Sequence, residues 1–124
     1  ILTPHPLEAA RLLGCSAQAV QADRLAAAQS LVQRFGCVCV LKGSGSVVAG
    51  PGRVPAINPT GNARLATAGT GDVLAGMLGA RWATGKESFA AACSAVYQHG
   101  RLADRWPADQ ALVASALSKA SNFD

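Results

Sequence analysis

Five consecutive residues without a charge or a strong polar group, Cys37 to Leu41, follow an amphipathic stretch that stops at Gly36 and lead into Lys42 and a glycine turn. So short and unbroken an apolar run leaves no face for water. It reads as a strand buried on both sides, and beside helical periodicity that means an α/β sheet. The flanking segments agree. Pro6 stands at a helix-start position, Glu8 follows it, Ala9, Leu12 and Leu13 form an apolar stripe, and Gly14 stops the helix. The TPHP segment becomes the loop that feeds this helix, and the residues from Ile1 read as a buried strand end. From Ser16 the apolar residues Val20, Leu25, Ala28, Leu31 and Val32 recur in three- and four-residue steps, which predicts one longer amphipathic helix up to Gly36.

Beyond Lys42 the pattern changes. Five glycines and three prolines lie between Gly43 and Asn62 among the short apolar pieces Val47 to Ala49 and Val54 to Ile57, which predicts a hairpin and turns. Asp72 to Trp82, Ser88 to Arg105 and Asp109 to Ala120 then read as three helices, with Pro107 between the last two. A chain of 124 residues supports one compact domain. The net charge of +4 comes from scattered lysines and arginines with no run of three, a poor footprint for a nucleic-acid binder, and small anionic ligands fit it better. No stretch nears the roughly 20 apolar residues of a bilayer span. Four cysteines without a CxxC pair, and only His5 and His99 to join them, predict reduced core thiols, no metal site and a cytoplasmic protein. The first residue is not methionine and no signal peptide precedes it, so the chain reads as a piece of something longer.

The strongest chemical signal is NPTGNARLATAGTGDVLAG, Asn58 to Gly76, where a Gly-Thr-Gly turn enters a helix near Asp72. Backbone N–H groups at a helix start and the helix dipole favour an anion, and Gly69 and Gly71 let phosphate oxygens approach the backbone. An aspartate there can take a proton from a hydroxyl that attacks a phosphoryl group. It can equally be no more than a helix cap beside a turn. Lys42 to Ser46, KGSGS, follows a strand end, where open α/β sheets bind ligands; a lysine there can meet a phosphate or simply open a flexible turn. His5 can donate to a substrate or serve only its loop. His99 on a helical face, and Trp82 and Trp106 near helix ends, read as packing. No dinucleotide fingerprint or P-loop is present: neither Gly43-x-Gly45 nor Gly69-x-Gly71 has its third glycine, and Gly79 to Lys86 has the wrong spacing.

Three segments in order, TPHPLEAARLLG at 3–14, VLKGSGSVVAG at 40–50 and NPTGNARLATAGTGDVLAGMLGA at 58–80, resemble the ADP/ATP-dependent NAD(P)H-hydrate dehydratases, ribokinase-like metabolite-repair enzymes. YQHGRLADRW at 97–106 is similar to a late helix of that family. The resemblance implies a parallel, doubly wound three-layer α/β fold, with residues 1–124 as the C-terminal portion of a catalytic domain about twice as long. It implies phosphorylation of hydrated NADH or NADPH on its ring hydroxyl, then loss of phosphate. It also implies ADP or ATP with Mg²⁺ as cofactors, a homo-oligomer, and a possible fused or partner epimerase domain. On this resemblance Lys42, Gly43, Ser44, Gly45 and Ser46 form one nucleotide loop, Gly69, Thr70 and Gly71 the second, Asp72 is the catalytic and substrate aspartate, and His5 binds substrate. The family's usual pattern differs at Leu7, Ser46 and Ala68. A vitamin-precursor kinase of the same fold would share the GxGD helix start but not NPTGN or TPHPxEAARLL. A non-catalytic module would share the ancestry without turnover.

Overall fold

A computed structural model describes residues 1–121 of the chain, which divides into two compact units, Ile1–Asn58 and a second from Pro59 onward. In the first unit, helix α1 (Pro6–Leu13) starts with Pro6 at N1 and ends at Gly14, whose φ of 70° and N–H bond to the Ala10 carbonyl close the last turn. The predicted single helix from Ser16 to Gly36 is instead two, α2 (Ala17–Ala22) and α3 (Arg24–Phe35). Asp23 makes the break: its backbone is non-helical (φ −148°, ψ 84°) and its carboxylate accepts from the Ala26 N–H at 3.0 Å. An aspartate offers the backbone this alternative partner, and here the cap outweighs the continuing apolar periodicity. Ser16 caps α2 through its hydroxyl, which accepts from Ala19 N–H.

The strands are β1 (Cys39–Leu41), β2 (Val47–Ala49) and β3 (Ala56–Ile57), so the predicted strand begins two residues later than Cys37. They form an antiparallel sheet in the order β1-β2-β3, with Leu41 opposite Val47 and Val48 opposite Ala56. Among the described residues the expected parallel pairing survives only at the bridge between Leu2 and Cys39, where Leu2 N–H donates to the Val38 carbonyl and Val40 N–H to the Leu2 carbonyl. Connection length is the reason. A parallel neighbour needs a crossover of roughly a dozen residues or more. The three helices between Leu2 and Cys39 provide one, whereas the Lys42–Ser46 and Gly50–Pro55 connections permit only hairpins. β1 is fully buried as the sequence indicates, and so is β2, both packed with Ala9, Ala10, Val20, Ala28 and Leu31 of the helices.

The second unit holds a 3₁₀ turn (Ala63–Leu65), α4 (Thr70–Ala83), α5 (Ser88–Asp104) and α6 (Ala114–Ala120). The last helix starts five residues later than Asp109, with Val113 as its N-cap. α4 and α5 pack together, α4 burying Leu74, Met77 and Leu78 and α5 burying Ala91, Ala92, Ala95 and Val96. Ala103, Leu112 and Leu117 form a second cluster with Leu65, Val73 and Trp106. Trp106 packs as expected, but Trp82 is about half exposed. The buried Arg81 Nη1 and Trp106 Nε1 have no hydrogen-bond partner among the described residues. All four cysteines are free, but only Cys39 is fully buried, and burial pushes its thiol up to about 12. Among the described residues no helix is long and apolar enough to cross a membrane.

Candidate functional site

In the first unit the candidate residues gather at one end of β1. Lys42 leaves that strand with its N–H donating to the Pro4 carbonyl at 2.9 Å, which ties the glycine loop to the segment carrying His5. The Lys42–Ser46 loop is the β1–β2 turn. Gly43 (φ 149°) and Gly45 (φ 69°) occupy backbone conformations closed to most side chains. The Ser46 hydroxyl donates to the Gly43 carbonyl and accepts from the Gly43 N–H, at 3.2 and 3.3 Å, so it braces the loop from within. Ser44 is exposed.

His5 is more than a loop residue. Its Nδ1 accepts from the Glu8 N–H at 3.1 Å, while the Glu8 carboxylate accepts from the His5 backbone N–H at 3.0 Å, a reciprocal cap on α1. The spacing His5-x-x-Glu8 is that of a capping box, a signal present in the sequence but masked by the rarity of histidine as the cap. His5 Nε2 lies 3.2 Å from Glu8 Oε1, and the side chain stays about half exposed. The bond from the His5 backbone holds the Glu8 carboxyl below its ordinary value, with His5, Lys42 and Arg11 adding positive charge and burial opposing.

Arg24, at the first turn of α3, gave no sign in the sequence. Its half-buried guanidinium donates to Gln21 Oε1 at 2.8 Å and to the carbonyls of Leu41, Lys42 and Gly45 at 3.3 to 3.5 Å. Desolvation lowers its pKa from the usual guanidinium value, yet an arginine keeps its charge.

In the second unit, Gly69 is the N-cap of α4 in a left-handed conformation (φ 87°), and no side chain caps that helix. Thr70, Gly71 and Asp72 are its first three residues. α1, α2, α3 and α5 begin with a side-chain cap, whereas α4, like the short α6, leaves its first N–H groups without one. Asp72 sits at the third helical position, not at the cap. Its side chain is exposed and accepts no hydrogen bond among the described residues. Thr70 is buried and its hydroxyl lies 2.6 Å from the Leu65 carbonyl and 2.9 Å from that of Thr67, so it anchors the turn from beneath. A β-carbon on Gly69 would fall 2.9 Å from the Ala114 methyl group.

Three further contacts build this platform. His99, buried on α5 as expected for a structural residue, has its Nε2 2.9 Å from the Thr70 carbonyl. Asp104 accepts from the Gly61 N–H and the Asn62 amide, at 3.0 and 3.2 Å, and thereby holds NPTGN to α5. An open cleft of about 350 Å³ runs along Arg64, Thr67 and Asp109 to Leu112. The Arg64 guanidinium on its wall is already spent on the carbonyls of Trp106, Pro107 and Ala108, so it is no free anion ligand.

A family model described as NAD(P)H-hydrate dehydratase matches residues 1–122. The chain is 52% identical over 104 residues to an ADP-dependent (S)-NAD(P)H-hydrate dehydratase of Neisseria meningitidis, covering 84% of this chain and 35% of the relative. It is 49% identical to the bifunctional NAD(P)H-hydrate repair enzyme of Escherichia coli, over 84% of this chain and 20% of that one. The chain thus spans about a third or less of the length of these relatives. Among solved structures, the ADP/ATP-dependent NAD(P)H-hydrate dehydratase of Bacillus subtilis, co-crystallized with ATP/Mg²⁺, superposes with a TM-score of 0.87 at 36% identity, covering 95% of this chain and 44% of that one. A ribokinase-like superfamily protein of Enterococcus faecalis gives 0.83 at 30% identity over 96% and 41%.

Proposed function

This chain belongs to the NAD(P)H-hydrate dehydratase family, with the α/β fold of the ribokinase-like proteins, and from that premise we propose that it works in the nucleotide-dependent dehydration of hydrated NADH and NADPH. Residues 1–124 would form the C-terminal portion of the catalytic domain. A cytoplasmic location, a homo-oligomeric assembly and a fused or partner epimerase domain belong to the same proposal; the repair enzyme of Escherichia coli is itself bifunctional.

The observation that carries the proposal is the start of α4: uncapped by any side chain, opened by a left-handed Gly69, and bearing an exposed Asp72 carboxylate. The helix amides and dipole suit a phosphate. Gly69 and Gly71 allow its oxygens near the backbone, and Thr70 holds the turn from below. In the first unit the Lys42–Ser46 loop brings a lysine and two glycines of positive φ to a strand end, which by itself suits an anionic ligand. His5 keeps Nδ1 on its cap and Nε2 beside the Glu8 carboxylate, and its half-exposed ring remains within reach of a substrate.

Asp72 accepts the proton of the ring hydroxyl as that oxygen attacks the terminal phosphorus and the bond to the leaving nucleoside phosphate breaks. Loss of the new phosphate with its C–O bond, together with a ring proton, regenerates the dihydronicotinamide. The backbone N–H groups of the helix start stabilise the charge that builds on the transferring group. Mg²⁺ would come with the nucleotide, since it is usually held through substrate phosphates. When bound it supplies neutralisation of their charge.

The test is regeneration of NADH from its hydrate with ADP or ATP and Mg²⁺, followed by dihydronicotinamide absorbance in the intact protein carrying this sequence. Asp72→Asn should keep nucleotide affinity and lose turnover by a factor of about a hundred or more. Wild-type turnover in that variant would reduce Asp72 to a structural residue. No NADH from the wild type with either nucleotide would remove the dehydratase function.

A further inference from the structure

We infer that Arg24 is the positioning residue of the Lys42–Ser46 loop: it gathers the loop's carbonyls on one side and leaves the other side to an anionic ligand. This rests on the proposal that the loop binds nucleotide. The guanidinium faces the carbonyls of Leu41, Lys42 and Gly45, and Gln21 Oε1 steadies it from behind at 2.8 Å. Converging carbonyl dipoles would repel a phosphate if they faced it. Every peptide bond here is trans, so a carbonyl turned toward Arg24 turns the following N–H away from it. The Ser46 amide is therefore directed to the opposite side, while the Lys42 and Gly43 amides turn from Arg24 to the Pro4 carbonyl and the Ser46 hydroxyl.

Gly43 is fitted to this arrangement. A β-carbon there would fall 2.8 and 2.9 Å from the two terminal nitrogens of Arg24, at a φ of 149° that side chains avoid. The glycine thus makes room for the cation beneath the loop. No carboxylate pairs with Arg24 among the described residues, so its charge is met only by dipoles and adds to that of Lys42 in attracting an anion. A lysine would keep the charge but present its donors from one point, without the second terminal nitrogen that here reaches Gln21 and the Lys42 carbonyl.

The experiment compares Arg24→Ala, Arg24→Lys and Gln21→Ala with wild type in the intact protein, by calorimetric titration of ADP and of ATP with Mg²⁺ and by steady-state kinetics. Arg24→Ala should weaken nucleotide binding and raise nucleotide KM by about tenfold or more, with KM for the hydrate and kcat at saturating nucleotide near wild type. Arg24→Lys and Gln21→Ala should fall between. A residue that served only stability would instead lower the active fraction, and so the apparent kcat, with nucleotide KM unchanged; that result overturns the inference. If Arg24→Ala does not fold, wild-type nucleotide affinity in both other variants overturns it equally. A wild type that binds neither nucleotide overturns the inference together with the nucleotide proposal beneath it, whereas tight wild-type binding with unaffected variants overturns the role of Arg24 alone.

Discussion

His99 Nε2 lies 2.9 Å from the carbonyl oxygen of Thr70, the first residue of α4. A carbonyl only accepts, so Nε2 carries the proton and donates it to this bond. One buried side chain of α5 thereby holds the helix start that presents Asp72. His99→Phe should lower stability by about 1–3 kcal/mol, the range for a buried acceptor deprived of a partner. His99→Gln, which can still donate, should recover part of the loss. Urea denaturation of the three proteins checks both, and equal midpoints would show the bond to be immaterial.

Gly100 on α5 lies against the Thr60–Gly61 backbone, where an added β-carbon would meet Thr60 C at 2.6 Å and Gly61 N at 2.8 Å. Backbone held by the Asp104 bonds cannot easily retreat. Gly100→Ala should destabilise by about 1–3 kcal/mol. Gly79→Ala on α4 should do the opposite, because nothing lies within 4 Å of its missing β-carbon and alanine favours a helix over glycine by about 1 kcal/mol. Thermal melts that moved in the same direction for both would contradict the geometry.

Lys42 is half-buried at the end of β1 and makes no ion pair among the described residues. Removing it forfeits an attraction for phosphate but little core. Lys42→Ala should weaken ADP and ATP binding clearly while leaving the melting temperature close to wild type. A large thermal loss with unchanged affinity would make the lysine a structural element.

Glu8 ties acid stability to the α1 cap. Its carboxyl is held below the ordinary value of 4.5 in the folded chain. A carboxylate depressed in this way stabilises the fold above the unfolded pKa, and that contribution drains away as pH falls through the folded value. Glu8→Gln should therefore lower the melting temperature slightly near neutrality, where that contribution is present, and match wild type in acid, which flattens the acid limb of a plot of melting temperature against pH. The exposure of the pair makes the effect small. An acid limb of undiminished slope would mean that other carboxylates set it.

The start and stop of α1, the buried β1 run, the hairpin after Lys42 and the α4 and α5 helices were legible because each rests on local chemistry: Pro6 and Gly14, an unbroken apolar stretch, glycine-rich turns and helical periodicity. The candidate loops were legible for the same reason, since glycine spacing beside a lysine or at a helix start is written in consecutive residues. The break at Asp23 escaped notice because a cap and an apolar stripe compete there, and the stripe is the more conspicuous signal.

NPTGN and YQHGRLAD are plain as separate strings, but that Asp104 and Gly100 make them one platform depends on residues some forty positions apart. The seat of Arg24 under the glycine loop is likewise invisible in order of sequence, since a solvated helix arginine and a half-buried one bonded to loop carbonyls share the same letters until β1 and β2 close over α3. Local conformation is decided by each residue's neighbours in the chain. Which polar groups are buried together is decided only when packing removes water and obliges every donor and acceptor to find a partner across it.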